Sequence, residues 1–343
     1  MFEVLIYSTA FLLTYMGVEQ FRRWSQRRNV LDVPNERSSH IKPTPRGGGL
    51  IIVVISLTAY TILLIVSNEL ISWGYLIGAV MISLISWLDD LYKIPSVWRF
   101  LVHTAAAVVL IFNQGFWNEI HLPIFGIVET GIAGVLVTLL WIVWLTNAYN
   151  FMDGIDGIAA LQAVTSGIGW CIIGKMIGSD TAAVYAGVLA FSSLGFLIHN
   201  WQPARVFMGD VGSAFLGYTF AAFPLIFRSY EPEKSGISPI IPLIALLIVW
   251  LFIFDTVYTF VIRLLKKQKV WNAHREHIYQ KLIIAGYSHR FVAGMYGLLS
   301  ALATAIVIFW LKFDGINVIL LVPVLVIEVA IIFLFHSNIK NVD

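Results

Sequence analysis

The stretch GIAGVLVTLLWIVWLTNAYNFMDGIDG, residues 131–157, joins an apolar run of membrane-spanning length to a dense polar group. That group consists of Asn147, Asn150, Asp153 and Asp156. Amide and carboxylate side chains at the mouth of a hydrophobic span are costly unless they pair or bind a ligand. The stretch therefore predicts a transmembrane helix that ends in a binding site.

The composition extends this prediction to the whole chain. Of the 343 residues, 59% are hydrophobic and only 12% are charged, and the mean hydropathy is +0.83. A soluble domain has about 25% charged residues. We predict an all-α polytopic membrane protein, one integral-membrane domain over residues 1–343, with about eleven transmembrane helices of about 20 residues each. The predicted spans are 3–21, 48–67, 71–88, 99–113, 131–149, 158–177, 181–199, 213–229, 238–262, 291–311 and 317–336.

The distribution of basic residues predicts the orientation of these spans. With eleven spans, five connections and the C-terminal tail share one face, and that face holds 18 of the 22 Lys and Arg residues. By the positive-inside rule this face is cytoplasmic, the N-terminus is outside and the C-terminus is cytoplasmic. On the outer face, residues 114–129 are predicted to form a small hairpin. The connections on the cytoplasmic face are 22–47, 89–98, 150–157, 200–212 and 263–290.

Asp89 and Asp90 end the third predicted span, in the sequence SWLDDLYKIP. Two adjacent carboxylates resist joint ionisation unless a cation lies near them. The pair therefore favours metal or phosphate chemistry. The alternative is a solvated helix end with Lys93 as partner.

The cluster of residues 147–157 offers oxygen ligands at helical spacing. Asn147 and Asn150 are three residues apart, as are Asp153 and Asp156, so each pair can share a helical face. Oxygen ligands suit Mg²⁺, which binds through one or two protein groups together with substrate phosphates. The alternative is a turn in which Asp156 caps the following helix.

FMGDVGSAFLGY, residues 207–218, places Asp210 between two glycines just before the eighth span. Backbone amides at a helix N-terminus favour phosphate, whereas Asp210 would repel phosphate unless a metal bridges them. Arg205, upstream, is a candidate phosphate contact. The alternative is a simple turn with Ser213 as the N-cap.

The connection 263–290 carries His274 and His277 beside Arg275. Because Cys171 is the only cysteine, no disulfide and no cysteine-based zinc site is expected within the chain. We favour phosphate contacts or acid–base roles, since protonated histidine and arginine attract anions. The alternative is a basic helix held by anionic lipid.

Three further features are less specific. The segment DVPNERSSHIKPTPRGGG, residues 32–49, contributes Arg46 as a donor, and its glycines allow tight packing where the second span begins. A topology anchor is the alternative for this segment. Asp255, in the ninth span, is a functional candidate or a partner for Arg263, and Glu328 has no evident partner.

Five spaced motifs together resemble the polyprenyl-phosphate N-acetylhexosamine-1-phosphate transferase superfamily, glycosyltransferase family 4. They are DVPNERSSHIKPTPRGGG, WLDD, NAYNFMDGIDGIA, FMGDVGS and AHREHIYQKL. Members transfer a sugar 1-phosphate from a UDP-sugar to undecaprenyl or dolichyl phosphate with Mg²⁺ and release UMP. PNERSSH and PTPRGGG are more similar to the branch that initiates O-antigen and other surface polysaccharides. The muramyl-pentapeptide branch carries a run of histidines, whereas here Arg275 and Glu276 separate His274 from His277.

The resemblance also implies roles by position. Asp210 and Asn150 match groups that hold Mg²⁺, for which Mn²⁺ is a substitute, and Asp89 or Asp90 resembles a carboxylate proposed as a base on the lipid phosphate. Asn147 and Asp156 match the segment that lines the nucleotide pocket. The loop that meets the sugar diphosphate supplies His274 and His277, grouped with the catalytic residues, and Arg275. The other expected substrate contacts are Arg46, Asp153 and Arg205.

These expectations define the partners and the alternatives. We expect a UDP-amino sugar, undecaprenyl phosphate and the lipid bilayer, a homodimer by resemblance, no nucleic acid, and a bacterial inner-membrane location with a cytoplasmic active site. GlcNAc is the default sugar, and a muramyl-pentapeptide substrate is the alternative within the family. A secondary transporter would instead have midplane polar groups and inverted repeats, and a lipid-phosphate scaffold would need only the basic loops. Single displacement and a covalent aspartyl intermediate through Asp89 or Asp90 both stay open.

Overall fold

Apolar segments of membrane length form helices here because a helix satisfies its own backbone hydrogen bonds. The computed structural model describes residues 2–34, 42–66, 72–228, 238–269, 274–313 and 325–333. The described helices are α1 Phe2–Arg27, α2 Leu50–Val66, α3 Trp73–Tyr92, α4 Ser96–Gln114, α5 Ala133–Met152, α6 Ile158–Met176, α7 Asp180–Asn200, α8 Asp210–Arg228, α9 Ile241–Ile248, α10 Trp250–Leu265, α11 Ile278–Ile284, α12 His289–Lys312 and α13 325–333. A 3₁₀ turn, Ser238–Ile240, precedes α9. The strands are β1 Leu31–Asp32, β2 Thr44–Pro45, β3 Glu119–Leu122 and β4 Gly126–Glu129.

Seven of the described helices are long and apolar enough to cross a membrane: α3 to α8 and α12. The pair α9 and α10 is an eighth candidate, bent by 73° at a break that falls at Val249. The ninth predicted span, drawn as one helix over 238–262, is therefore wrong in this respect. Helix α2 is apolar but shorter. The all-α polytopic class is confirmed, whereas the count of eleven spans and the orientation stay predictions.

Helix α8 is the buried centre of the bundle. Every residue from Val211 to Phe227 is buried, as expected of a helix that is apolar on all sides. It packs against α2, α3, α5, α6 and α9. Its first residue, Asp210, therefore lies among the ends of the helices that surround α8.

A backbone contact fixes the start of α2 against the start of α8. Phe207 N–H donates to the Pro45 carbonyl at 2.8 Å, and the amides of Gly48 and Gly49 donate to the carbonyls of Phe207 and Met208 at 3.0 and 2.9 Å. A Cβ atom on Gly49 would lie 2.5 Å from the Cα atom of Gly212. The expectation that the glycines allow tight packing here is confirmed. Because Arg46 directly precedes these glycines, the contact also places Arg46 beside the N-terminal end of α8.

Two predicted helix caps are wrong, and the predicted hairpin is correct. Ser213 lies inside α8, where its hydroxyl donates to the Gly209 carbonyl at 3.1 Å. Helix α6 begins after Gly157, which adopts a φ of 82°, so Asp156 is not the N-cap. Strands β3 and β4 pair antiparallel. Some parts of the predicted spans and connections lie outside the described residues. They include 35–41, which holds most of PNERSSH, and 270–273, 314–324 and 334–343.

Gly49→Ala is expected to weaken the contact between α2 and α8, because the added methyl group meets the Gly212 backbone. Overpacking of this kind costs about 1–3 kcal/mol, so the thermal unfolding midpoint of the purified protein should fall. The matched control is Gly294→Ala in α12, where a Cβ atom meets nothing within 4 Å. A wild-type midpoint for Gly49→Ala would contradict the close approach.

Candidate active site

The five connections predicted to share one face do meet, at the N-terminal end of α8. The guanidinium group of Arg46 contacts Asp210 and thereby joins the first connection to the fourth. The polar clusters that lie far apart in the chain thus form one site. Two further links are hydrogen bonds from Tyr279 Oη to the Phe151 carbonyl at 2.8 Å and from Ala204 N–H to the Asp156 carboxylate at 3.1 Å.

Asp90 caps helix α8. Its two carboxylate oxygens accept the backbone N–H groups of Asp210 and Val211 at 2.9 and 3.0 Å, and the partial positive charge of a helix N-terminus stabilises such a carboxylate. Arg46 Nε adds an ion pair at 2.8 Å, and the Asp90 side chain is only 2% exposed. The described contacts therefore make Asp90 an anchor for the position of Asp210.

Asp89 points to a different partner. Its Oδ2 atom is 2.7 Å from Arg99 Nη1, which also lies 2.7 Å from Asp210 Oδ2. The backbone N–H of Ile94 donates to Asp89 Oδ1. Lys93, the predicted partner, instead occupies the left-handed C-cap of α3 with a φ of 53°. Arg99 thus bridges two carboxylates from separate connections.

Arg99 is absent from the predicted site residues. It lies in the first turn of α4, and a basic residue at the start of a span is commonly a topology signal. A lone arginine among the apolar residues of SVWRFLVH is the only local hint of another role. Its Nε atom is buried and has no hydrogen-bond partner among the described residues, which leaves one donor unused beside the two ion pairs.

Asn147 and Asn150 share the face of α5 that helical spacing predicts. Both line the same cavity as Asp210. Asn150 Nδ2 donates to Ser213 Oγ at 2.9 Å, and the Asn150 side chain also interacts with the Asp210 carboxylate. Asn147 Nδ2 donates to the Val143 carbonyl at 2.7 Å. The predicted metal pair, Asn150 and Asp210, is therefore adjacent.

Asp153 and Asp156 do not line this cavity. Burial raises the pKa of Asp153 well above its usual value, with repulsion from Asp210 acting in the same direction. The Asp156 carboxylate accepts from Ala204 N–H and lies 3.4 Å from His289 Nδ1. Asp156 thus joins connection 150–157 to connections 200–212 and 263–290. The nucleotide-binding role of Asp156 stays a prediction.

Asp255 orients His277. Asp255 Oδ1 lies 3.1 Å from His277 Nδ1 and accepts Ile278 N–H at 2.9 Å, while Oδ2 accepts Tyr279 N–H and Tyr296 Oη–H at 3.1 and 2.9 Å. The suggestion that Asp255 pairs with Arg263 is wrong. Arg263 instead pairs with Glu276 at 3.2 Å. A carboxylate on one ring nitrogen fixes the orientation of a histidine, and His277 lines the cavity.

The other basic residues predicted for the site differ in whether they line the cavity. His274 lines the cavity, but burial and the proximity of His277 and Arg263 lower its pKa to about 4. This shift disfavours a protonated imidazole at His274, whose phosphate or acid–base role stays a prediction. Arg205 and Arg275 lie outside the cavity lining, and Arg205 is exposed, with Nη2 3.5 Å from the Ile198 carbonyl.

The cavity beside Asp210 has a volume of about 580 Å³ and two unlike parts. Polar and charged side chains line one part, to which α10 adds Thr256, Thr259 and Arg263, and apolar side chains of α4 and α5, with Phe260 of α10, form the adjoining wall. A ligand that matches both parts has a charged or strongly polar head and an apolar body. The polar end includes Arg99, Asn147, Asn150, Asp210, His274 and His277, and the wall includes Phe100, Leu139, Leu140, Val143 and Phe260.

The donor set at the polar end fits Mg²⁺. Within the described part of the chain, no three His, Cys, Asp or Glu side chains form a metal-binding group. Mg²⁺ does not require one, because it commonly uses one or two carboxylates and completes its shell with water and phosphate oxygens. Both oxygens of Asp210 contact arginines, so a cation there has to share or displace Arg46 and Arg99. Metal binding stays a prediction.

Comparison with known proteins gives consistent matches. A family model described as glycosyl transferase family 4 matches residues 72–228. The chain is 29% identical over 340 residues to a probable undecaprenyl-phosphate N-acetylglucosaminyl 1-phosphate transferase of Bacillus subtilis (strain 168), covering 96% of this chain and 93% of that protein. It is 30% identical over 310 residues to the decaprenyl-phosphate N-acetylglucosaminephosphotransferase of Mycobacterium leprae, covering 82% and 77%. A phospho-N-acetylmuramoyl-pentapeptide-transferase of Chlamydia trachomatis serovar L2 is 32% identical over 209 residues, covering 54% and 61%.

Asp90→Ala is expected to destabilise the fold, because it removes the cap of α8 and leaves Arg46 without one of its carboxylates. Loss of one partner from a buried pair costs about 3–5 kcal/mol, so the thermal unfolding midpoint should fall markedly. Asp180→Ala is the matched control, since Asp180 is 73% exposed and pairs with Lys175 at the surface. Equal midpoints for the two variants would contradict the anchoring role of Asp90.

Proposed function

This chain belongs to glycosyl transferase family 4, and on that premise we propose that it transfers N-acetylglucosamine 1-phosphate from UDP-GlcNAc to undecaprenyl phosphate and releases UMP. The observation that carries the proposal is the two-part cavity. Its polar end contains Asp210 and Arg99, and its wall is apolar. An acceptor that is a phosphate on a long hydrocarbon chain matches both parts.

The Asp–Arg cluster suits phosphoryl transfer. Such reactions depend mainly on positioning and on neutralising charge. We propose that a lipid phosphate oxygen forms a bond to the β-phosphorus of the UDP-sugar, while the bond from that phosphorus to the bridging oxygen breaks and UMP leaves with that oxygen. Mg²⁺ on Asp210 and Asn150 would supply Lewis-acid neutralisation of the phosphate charge when bound. Arg46 and Arg99 provide further positive charge within contact distance of Asp210.

The carboxylates divide into different proposed roles. Asp90 is engaged with two backbone amides and Arg46, which favours a positioning role. Asp89 pairs with Arg99 and has a side chain that is 11% exposed, and its carboxyl group also interacts with that of Asp210. If a carboxylate assists the lipid phosphate as a base, Asp89 is therefore the better candidate of the two.

The names of the relatives support the choice of sugar. The relatives that match more than three quarters of this chain include the Bacillus subtilis and Mycobacterium leprae proteins, whose names contain N-acetylglucosamine, whereas the muramoyl-pentapeptide relative matches 54% of it. We propose that the product initiates a lipid-linked surface polysaccharide of the O-antigen type. A water-soluble donor reaches such a site from the cytoplasm, so a bacterial inner-membrane location with the site on the cytoplasmic face belongs to the same proposal. The homodimer rests on resemblance alone, and light scattering of the purified protein tests it.

Release of UMP by the purified full-length protein tests the proposal. We expect UMP only when UDP-GlcNAc and undecaprenyl phosphate are both present, loss of turnover with EDTA, and recovery with Mg²⁺ or Mn²⁺. UDP-GalNAc and UDP-MurNAc-pentapeptide are the comparison donors. Turnover that needs no divalent cation would overturn the proposed mechanism, and turnover with only the muramyl donor would reassign the substrate. A transporter would move substrate across vesicles without UMP release.

Asp210→Asn is expected to lower turnover by at least about 100-fold, on the scale of losing an electrostatic group that acts in the transition state. The fold should persist, because the backbone N–H of residue 210 still donates to the Asp90 carboxylate. Asp180→Asn is the control and should retain wild-type turnover, since Asp180 is remote from the cavity lining. Full activity of Asp210→Asn would refute its assigned role.

A further inference from the structure

His103 is a buried histidine beside the polar end of the cavity. It lies in α4, one helical turn after Arg99, and is 4% exposed. Neither of its ring nitrogens makes a hydrogen bond to any of the described residues. Buried polar side chains are ordinarily hydrogen-bonded. Two other buried histidines follow that rule, since His199 contacts the Tyr15 carbonyl and His277 contacts Asp255.

The ring of His103 lines the cavity described above. Arg99 and Asp210 are close enough to act on it electrostatically, and the Asn147 side chain is a close polar neighbour. Because α4 rises about 1.5 Å per residue, His103 lies about 6 Å further along the helix than Arg99. The next lining groups in that direction are apolar or bonded within their own helix: Thr104, whose hydroxyl donates to the Phe100 carbonyl, and Leu139, Leu140 and Val143 of α5.

His103 therefore marks the boundary between the charged end of the cavity and its apolar wall. A neutral imidazole carries one N–H donor and one acceptor. Asn147 is a polar neighbour of His103, and its amide nitrogen already donates to the Val143 carbonyl. The ring nitrogens of His103 and Nε of Arg99, which make no hydrogen bond to the described residues, thus lie near the junction of the two parts.

We propose that His103 donates a hydrogen bond to the phosphate of the prenyl phosphate acceptor and, with Arg99, holds this phosphate at the boundary. The inference rests on the proposed function and assigns a residue that positions one of its two substrates. A UDP-sugar is a poorer match, because contact with His103 would bring its polar groups against Leu139 and Val143. The polar head of an amphiphile meets His103 while its chain follows the apolar wall.

His103→Leu and His103→Gln test this assignment in the full-length protein. Leucine removes the donor and suits an apolar wall, so the fold should survive, and glutamine restores an N–H donor. We expect His103→Leu to raise the KM for undecaprenyl phosphate about tenfold, the scale of one hydrogen bond to a charged group, with the KM for UDP-GlcNAc unchanged. His103→Gln should recover most of the loss. His121→Leu, a histidine of β3 outside the cavity lining, is the matched control and should change neither constant.

A binding measurement separates this inference from the proposed function. Undecaprenyl phosphate is titrated into wild type and variants without donor sugar, with binding followed by native mass spectrometry. Weaker binding by His103→Leu alone supports the inference even if no UDP-sugar is turned over, in which case the proposed function fails. Equal binding and an equal acceptor KM for wild type and His103→Leu overturn the inference while transfer itself stands. A rise in both KM values also overturns it, since that result indicates general damage to the cavity.

Discussion

The ion pairs of the buried Asp210 carboxylate with Arg46 and Arg99 at the end of α8 are the interaction around which the site is built. A carboxylate at the end of a helix whose following residues are all buried is costly unless positive groups compensate it. Arg46 and Arg99 supply those groups at 2.6 and 2.7 Å. Because the two arginines come from different connections, the first loop and the start of α4 must both reach this helix end. The close contact of Gly49 with Gly212 brings the backbone of the first loop to the same helix end.

Asp89, Asp90 and Asp210 share two arginines, Arg46 and Arg99, in a site with little solvent. This arrangement suits the proposed binding of a cation and, through it, of phosphate. It also separates the acidic residues by role. Asp90, Asp156 and Asp255 are bound to backbone amides and histidines, and they fix the positions of the cavity residues. Asp210, with Asn150 beside it, faces the cavity itself.

Much of this arrangement can be predicted from the sequence, because the hydrophobic runs and the number of spans between polar clusters can both be read along the chain. The apolar runs predict helices, and an odd or even number of spans decides which polar clusters share a face. Arg99 and His103 could not be predicted in this way, since a single polar residue within an apolar helix has no periodicity to reveal its partners. The break at Val249 has no proline or glycine to mark it. The anchoring role of Asp90 depends on contacts with Asp210 and Val211, more than one hundred residues away, which local spacing does not report.

The central claim is that the Asp210 site transfers a sugar phosphate rather than a sugar. UDP-GlcNAc labelled with ³²P at the β-phosphorus distinguishes the two outcomes in one incubation with undecaprenyl phosphate. Sugar-phosphate transfer carries the label into the extracted lipid and leaves unlabelled UMP in equal amount. Label that stays in water as UDP while the sugar enters the lipid would contradict the account.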